Sequence, residues 1–182
     1  MLNDNYLLTL RYEFRRGRKS PPTFILLTMI DKQALQAWIE ERLQDTECYL
    51  VDVMVSAQNE IKVEIDSMDS IDIDFCVELS RDIETAFPRD DEDYELEVGS
   101  AGLTSPFKVL AQYRKNLGNK VEVLTRDGRK LHGILVEAAD DRFAIEMQVK
   151  VKREGAKRPV EETQREEFAY SDVKSVCYDL DF

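Results

Sequence analysis

The side chains best suited to hold a metal or attack a substrate are one histidine, His132, and three cysteines, Cys48, Cys76 and Cys177. The cysteines are far apart, odd in number and never spaced as C-x-x-C, so neither a zinc site nor a disulfide framework is expected. Each falls within or beside an apolar-patterned segment and reads as a small buried hydrophobe in a reducing compartment. His132 has no serine or cysteine beside it to activate and sits in a strand-like run, where a partly exposed side chain is expected. The carboxylates Asp66, Asp69, Asp72 and Asp74 crowd together, but a calcium loop needs a glycine at its sharp turn and a different spacing. Capping explains them better, with Asp72 as a helix N-cap and Asp74 in the first turn, where the helix dipole favours negative charge. Glu95 and Glu97 alternate along one strand face and share one environment, whereas acid–base work needs two carboxylates in unequal ones. No catalytic residue, metal ligand or cofactor-binding residue is assigned, and an enzyme is not expected.

Backbone chemistry offers one further candidate. The stretch Gly99-Ser-Ala-Gly-Leu-Thr-Ser-Pro106 holds two glycines and a proline in eight residues, which marks a tight, fixed path between two patterned regions. It matches neither the G-x-x-x-x-G-K-[ST] nor the G-x-G-x-x-G phosphate-cradling pattern. Gly99, Ser100, Ala101, Gly102, Leu103 and Pro106 are therefore read as a junction motif. If Gly102 takes a positive φ, a β-branched replacement there is penalised. Beyond the junction, Arg126, Arg129, Lys130, Lys150, Lys152 and Arg153 are the candidate partner-binding residues.

Charge divides the chain into unlike parts. Of a net −12, residues 29–105 carry −16, residues 1–28 carry +3 and residues 106–182 carry +1. A segment at −16 repels a phosphate backbone, because nucleic-acid affinity is built from Lys and Arg neutralising phosphates; basic surfaces are its natural partners. With 43% apolar residues the chain can bury real cores, and its 182 residues suit two small domains. No apolar run approaches the roughly 18–20 residues that cross a bilayer. The longest candidate, Phe24-Ile-Leu-Leu27, follows a basic stretch but is too short for a secretory leader and has no cleavage pattern after it. A cytoplasmic protein without a membrane partner is expected.

Periodicity supplies the elements that would position these residues. Residues 1–28, with Arg15-Arg-Gly-Arg-Lys19 before Ser20-Pro-Pro22, show no sustained period. They read either as a basic RNA-binding arm or as the product of a start upstream of Met29, and add little to a core in both cases. Met29 to Leu43 reads as a helix with Leu35, Trp38, Ile39 and Leu43 on one face. Tyr49 to Ser56, with Tyr49, Val51, Val53 and Val55 on one side, and Ile61 to Ile65 read as an antiparallel hairpin. A helix from Asp72 to Phe87, stopped by Pro88, and a strand from Tyr94 to Val98 complete an α-β-β-α-β domain over residues 29–105. Its polar sheet face, with Lys62, Glu64, Glu95 and Glu97, looks to solvent or to a partner. Phe107 to Asn116 is a short helical connector within residues 106–118.

From residue 119 to 182 the pattern is all β. Val121 to Leu124, the Asp127-Gly128 hairpin turn, Leu131 to Ala138, Phe143 to Val151, Glu167 to Tyr170 and Ser175 to Phe182 supply five strands. A charged loop runs from Lys152 to Arg165, and a single turn, Ser171 to Lys174, precedes the last strand. The fold class is α+β, with a small SH3-like or Sm-like β-barrel as the second domain.

Read in order, several segments are similar to the RimP family: Tyr49-Leu-Val-Asp-Val53, Ile61-Lys-Val-Glu-Ile65, Ile73-Asp-Phe-Cys-Val-Glu-Leu-Ser-Arg81 and Tyr94-Glu-Leu-Glu-Val-Gly-Ser-Ala-Gly-Leu103. Gly118-Asn-Lys-Val, Asp127-Gly128 and Phe168-Ala-Tyr-Ser-Asp-Val-Lys174 extend the resemblance across Met29 to Phe182. It implies a monomeric, cofactor-free factor that binds the free small ribosomal subunit and assists its late maturation. It further implies help in placing the basic small-subunit protein near the decoding centre (number twelve in its series), mainly through the barrel, with ribosomal RNA as a further contact. At the junction the family has S-P-G-L-D-R-P where this chain has Ser100-Ala-Gly-Leu-Thr-Ser-Pro106, so Thr104-Ser105 replaces a charged pair. The residues leave two rival readings: a general Sm-like RNA-binding module built on the basic side chains above, and a metal-dependent enzyme built on a carboxylate cluster.

Overall fold

The computed structural model describes residues 30–89, 93–151 and 160–180. Helix α1, Lys32–Leu43, begins where the Asp31 side chain accepts the Gln33 N–H at 2.8 Å, satisfying a donor that every helix start leaves free. Met29, the expected first helical residue, lies outside the described residues, as do residues 1–28. Leu35, Ile39 and Leu43 are buried along one face, and Trp38 meets Phe87 edge-on. Thr46 ends the helix: its hydroxyl donates to Leu43 O and accepts the Cys48 N–H, turning the chain into β1, Cys48–Val55.

Strand β2, Glu60–Ser67, pairs antiparallel with β1 across a turn in which Asn59 takes φ +64°. The hairpin carries a bulge between Leu50 and Asp52, which corrects the expected alternation. One added residue reverses the parity of everything before it. Tyr49 therefore stands opposite Asp66 on the outer face, while Cys48 and Leu50 pack on the core with Val53.

Helix α2, Ile73–Ala86, is capped as expected: Asp72 accepts the Asp74 N–H at 3.2 Å and Asp74 occupies the first turn. Leu79 and Ile83 are its buried residues. The buried Tyr94 donates its hydroxyl to Phe87 O at 2.7 Å, fastening the helix end to the start of β3, Glu95–Ser100. β3 runs parallel to β2, so the first sheet has the order β1-β2-β3, with α1 against β1 and α2 against β3. Between helices and sheet lies a core of Leu35, Ile39, Val53, Ile61, Val63, Ile65, Leu79, Ile83 and their neighbours.

Helix α3, Leu110–Lys115, follows the junction. Buried Gln112 accepts the N–H groups of Lys108 and Val109 at 2.7 and 3.3 Å and so seals the helix start. The second sheet comprises β4, Lys120–Thr125, β5, Lys130–Ala138, β6, Arg142–Val151, β7, Val160–Ala169, and β8, Val173–Tyr178. All its pairings are antiparallel, in the order β7-β6-β5-β4-β8. Gly128, at φ +90°, makes the expected β4–β5 turn.

Two expectations are corrected here. Residues 160–165, read as the end of a charged loop, are strand: β7 pairs with β6 from Val151↔Val160 to Arg142↔Ala169. Its run of polar residues carries no apolar alternation, but opposite charges face each other across the hairpin, at Glu146↔Arg165 and Lys150↔Glu161. The second concerns the barrel. The described pairings form an open ladder with β7 and β8 as its edges, so a closed barrel is not seen. The three-residue 3₁₀ turn Tyr170–Asp172 carries the chain from one edge to the other, where Asp172 O accepts the Arg126 N–H at 2.9 Å. All five strands nevertheless contribute to one core, including Phe143, Ile145, Phe168 and Val176, with Tyr113 of α3 beside Phe143. The molecule is thus α+β with two sheets and two separate cores, and no described helix is long and apolar enough to cross a membrane.

Candidate functional site

The junction motif is tied at both ends. The Ala101 N–H donates to Ile65 O at 3.0 Å, prolonging the β2–β3 ladder, and the Phe107 N–H donates to Val176 O at 2.8 Å on the second sheet. Between them the Ser105 N–H closes a turn onto Gly102 O at 2.8 Å, leaving Leu103 66% exposed at its tip. Gly99 and Ser100 belong to β3, and Pro106 leads straight into the attachment at Phe107. The φ of Gly102 is not positive; among the described residues the left-handed glycines are Gly118 and Gly128. A Cβ on Gly102 would meet only the Ser105 hydroxyl, at 2.8 Å. The motif's path is thus held by these hydrogen bonds and not by a left-handed glycine.

What holds the two sheets together follows the motif, in two lysines that sequence reading passed over. Lys108 Nζ lies 2.7 Å from Asp52 and 2.9 Å from Glu64, and Lys115 Nζ lies 2.8 Å from Asp66. These three carboxylates stand on β1 and β2, on the outer face of the first sheet. Tyr49, placed there by the bulge, adds its hydroxyl to Asp66 at 3.2 Å, and burial with the neighbouring carboxylate pushes that phenol up. Burial alone would raise the Asp52 carboxyl. The hydrogen bond and charge of Lys108, joined by Lys32, outweigh it and hold the group below the ordinary carboxylate range. Hydrogen bonds from Lys108 to Asp52 and then Glu64 correspondingly raise its ammonium. Part of the polar face expected to meet solvent or a partner is therefore covered by the chain's own connector.

The candidate partner-binding residues are not gathered into a bare basic patch. Arg129 is paired with Asp127 at 3.0 Å and Glu166 at 2.9 Å, Lys130 with Glu122 at 2.9 Å and Lys150 with Glu161 at 3.9 Å. Arg126, exposed in the β4–β5 turn, has no ion pair among the described residues. It borders an open groove shared with Arg129, Glu166, Glu167 and Asp172, in which acids outnumber bases. Lys152 and Arg153 lie outside the described residues.

A second cluster escaped the sequence. Glu122, His132 and Asp179 place one ligand atom each within 4.8 Å of one another. The Glu122↔His132 pairing could have been counted off from the Asp127-Gly128 turn, but Asp179 arrives only through β8. His132 Nδ1 lies 2.9 Å from Asp179 Oδ2, and this bond, with the charge of Lys120, holds the Asp179 carboxyl low against its desolvation. Such donors could hold a divalent ion, yet Lys130 and Lys120 (3.5 Å from Asp179) already neutralise both carboxylates. Cys177 stands across the ladder from Glu122, and burial first, then these carboxylates, push its thiol up, so it is no ready nucleophile. All three cysteines are free and half-buried.

The family model for the RimP N-terminal domain matches residues 38–104, from the middle of α1 into the junction turn. Ribosome maturation factor RimP of Porphyromonas gingivalis is 42% identical over 146 residues, 80% of this chain and 96% of that protein. Its counterpart from Flavobacterium psychrophilum is 25% identical over 147 residues, 80% and 95% of the two chains. The one from Christiangramia forsetii is 31% identical over 86 residues, 47% and 56% of the two. With a family model on its first sheet and a 42% relative matched over nearly that relative's whole length, this chain belongs to the RimP family.

Proposed function

We propose that this chain acts in ribosome maturation: it binds the free, immature small ribosomal subunit in the cytoplasm and assists its late assembly by helping to seat a basic ribosomal protein near the decoding centre. It works as a binding protein and not as an enzyme, needs no cofactor and acts as a monomer. The relatives' shared name, ribosome maturation factor, supports the process. The observation that carries the choice of partner is the distribution of charge: residues 29–105 hold −16, while Arg129, Lys130 and Lys150 of the second sheet and its β4–β5 turn are paired with carboxylates of the same chain. A surface of this kind favours a Lys/Arg-rich protein over bare phosphate. In this reading residues 29–105 and 119–182 are two domains joined by a connector at 106–118. The second is an SH3-like or Sm-like domain in which all five strands share one core.

The rival reading, a general RNA-binding module, needs cations free to displace counterions. Of Arg126, Arg129, Lys130 and Lys150, only Arg126 is free of an ion pair among the described residues. Sedimentation of cell lysate tests the proposal. The protein is expected to travel with free small subunits and to be absent from assembled ribosomes. A position at the top of the gradient overturns the proposal, as does tight binding to unstructured RNA with a steep salt slope.

A further inference from the structure

β3 pairs with β2 alone, and among the described residues nothing pairs with its other edge. The Glu95 N–H donates to Asn59 O at 3.2 Å and the Ala101 N–H to Ile65 O at 3.0 Å, both on the β2 side. Backbone groups of successive strand residues point to alternate sides. The N–H and C=O of Leu96, Val98 and Ser100 therefore face the open edge. Unpaired edges template further strands, and proteins blunt them with bulges, prolines or charged side chains. β3 has no bulge or proline over Glu95–Ser100. Its charges, Glu95 and Glu97, are both negative, which disfavours an acidic strand and leaves the edge open to a cationic one.

An apolar strip overhangs this edge. Arg42 of α1 bonds Glu78 at 3.3 Å and Asp82 at 2.8 Å, which marks the flank of α2 that faces α1. Ile73 and Val77 lie roughly 100–180° round the helix from those residues. With α1 over β1 and α2 over β3, that is the flank beyond the sheet's outer edge. Ile73 is 78% exposed and Val77 43%, one turn apart. A lone exposed aliphatic needs no explanation, but two beside a row of unpaired backbone groups form a surface. Asp74, in the first turn of α2, and Glu95, on β3, are exposed without a cationic partner among the described residues.

We propose that this edge receives an extended protein segment as a fourth strand, and that the segment alternates Lys or Arg with aliphatic residues. The added backbone satisfies Leu96, Val98 and Ser100. Its inward aliphatic side chains pack under Ile73 and Val77, and its outward cations stand beside Glu95 and beside Glu97, which keeps Lys62 at 3.6 Å on its other side. RNA does not fit, since it offers no strand and is repelled by the carboxylates. The proposal is independent of the ribosomal reading.

The test titrates the isotope-labelled full chain with a short peptide of alternating lysine and valine, and with lysine/serine and glutamate/valine counterparts. Only the first is expected to bind and to slow amide exchange at Leu96, Val98 and Ser100. Ile73→Asp with Val77→Asp removes the strip, and Ser100→Pro removes one outward N–H at an exposed position. Each is expected to weaken binding by about tenfold or more while the amide spectrum stays folded. The proposal is overturned if the lysine/serine peptide binds equally well, if the variants bind unchanged, or if the three amides are already protected in the free chain.

Discussion

Replacing Lys108 by methionine keeps the aliphatic stem and deletes the ammonium that spans Asp52 and Glu64. The lysine side chain is 36% exposed, Asp52 28% and Glu64 16%. Hydrogen bonds to charged groups contribute about 1.5–3 kcal/mol when well shielded, and exposed ion pairs about 0–1. At this intermediate exposure we expect Lys108→Met to cost about 1–2 kcal/mol, partly offset because Lys62 remains 3.7 Å from Glu64. A double-mutant cycle with Glu64→Gln is expected to give a coupling of about 0.5–1 kcal/mol. The readout is urea unfolding followed by Trp38, the single tryptophan, which packs on the first core. Because the folded Asp52 pKa is depressed, its share of the stability is present above the ordinary carboxylate pKa and is lost as pH falls through the lower folded value. The gap between wild type and variant should therefore stand at neutral pH and narrow as the pH is lowered below the ordinary carboxylate range. Lys108 itself, with a raised pKa, contributes fully below its ordinary value and loses that share only at strongly alkaline pH. A neutral-pH gap below about 0.3 kcal/mol, or one that does not narrow in acid, would refute the joint.

The remaining expectations concern stability to unfolding, read by urea titration followed by circular dichroism unless another method is named. Gly133→Ala drives a Cβ to within 2.7 Å of the Glu146 carbonyl oxygen and should cost about 1–3 kcal/mol. Gly102→Ala meets only a movable hydroxyl and should stay within about 0.5 kcal/mol, so equal losses at the two glycines would contradict the packing given for them. Asp72→Ala removes the α2 cap and should lower stability by about 1 kcal/mol, with the loss confined to the first core. A chain begun at Met29 should unfold within about 2 kcal/mol of the full one by calorimetry, a larger loss meaning that residues 1–28 bury a substantial apolar side chain.

Much of the fold was legible because it is written in neighbouring residues. The buried face of α1, the Asp72 cap, the left-handed Gly128 turn and the helix stop at Phe87-Pro88 each depend on side chains within a few positions of one another. The bulge at Leu50/Asp52 was not, because only its pairing with β2 shows that one residue is surplus. β7 was missed over residues 160–165 because its stability comes from β6 across the hairpin and its own residues carry no apolar period. Beside the junction stretch, Lys108 and Lys115 looked like ordinary surface lysines, 44 to 56 residues from the carboxylates they hold. His132 likewise acquires Asp179 from 47 residues away.

By itself, then, the sequence determined the order of elements, the acidic and near-neutral halves, the caps and turns, and the family. Those properties are sums over local composition or short-range geometry, and no distant contact can change them. Only the tertiary structure decided which faces meet: the parity of β1, the choice of β1, β3, β7 and β8 as edge strands, and the lysine joint between the sheets. Each of these depends on which distant residue stands opposite, and a pairing partner is chosen by the energy of the whole packed chain and not by its neighbours in sequence.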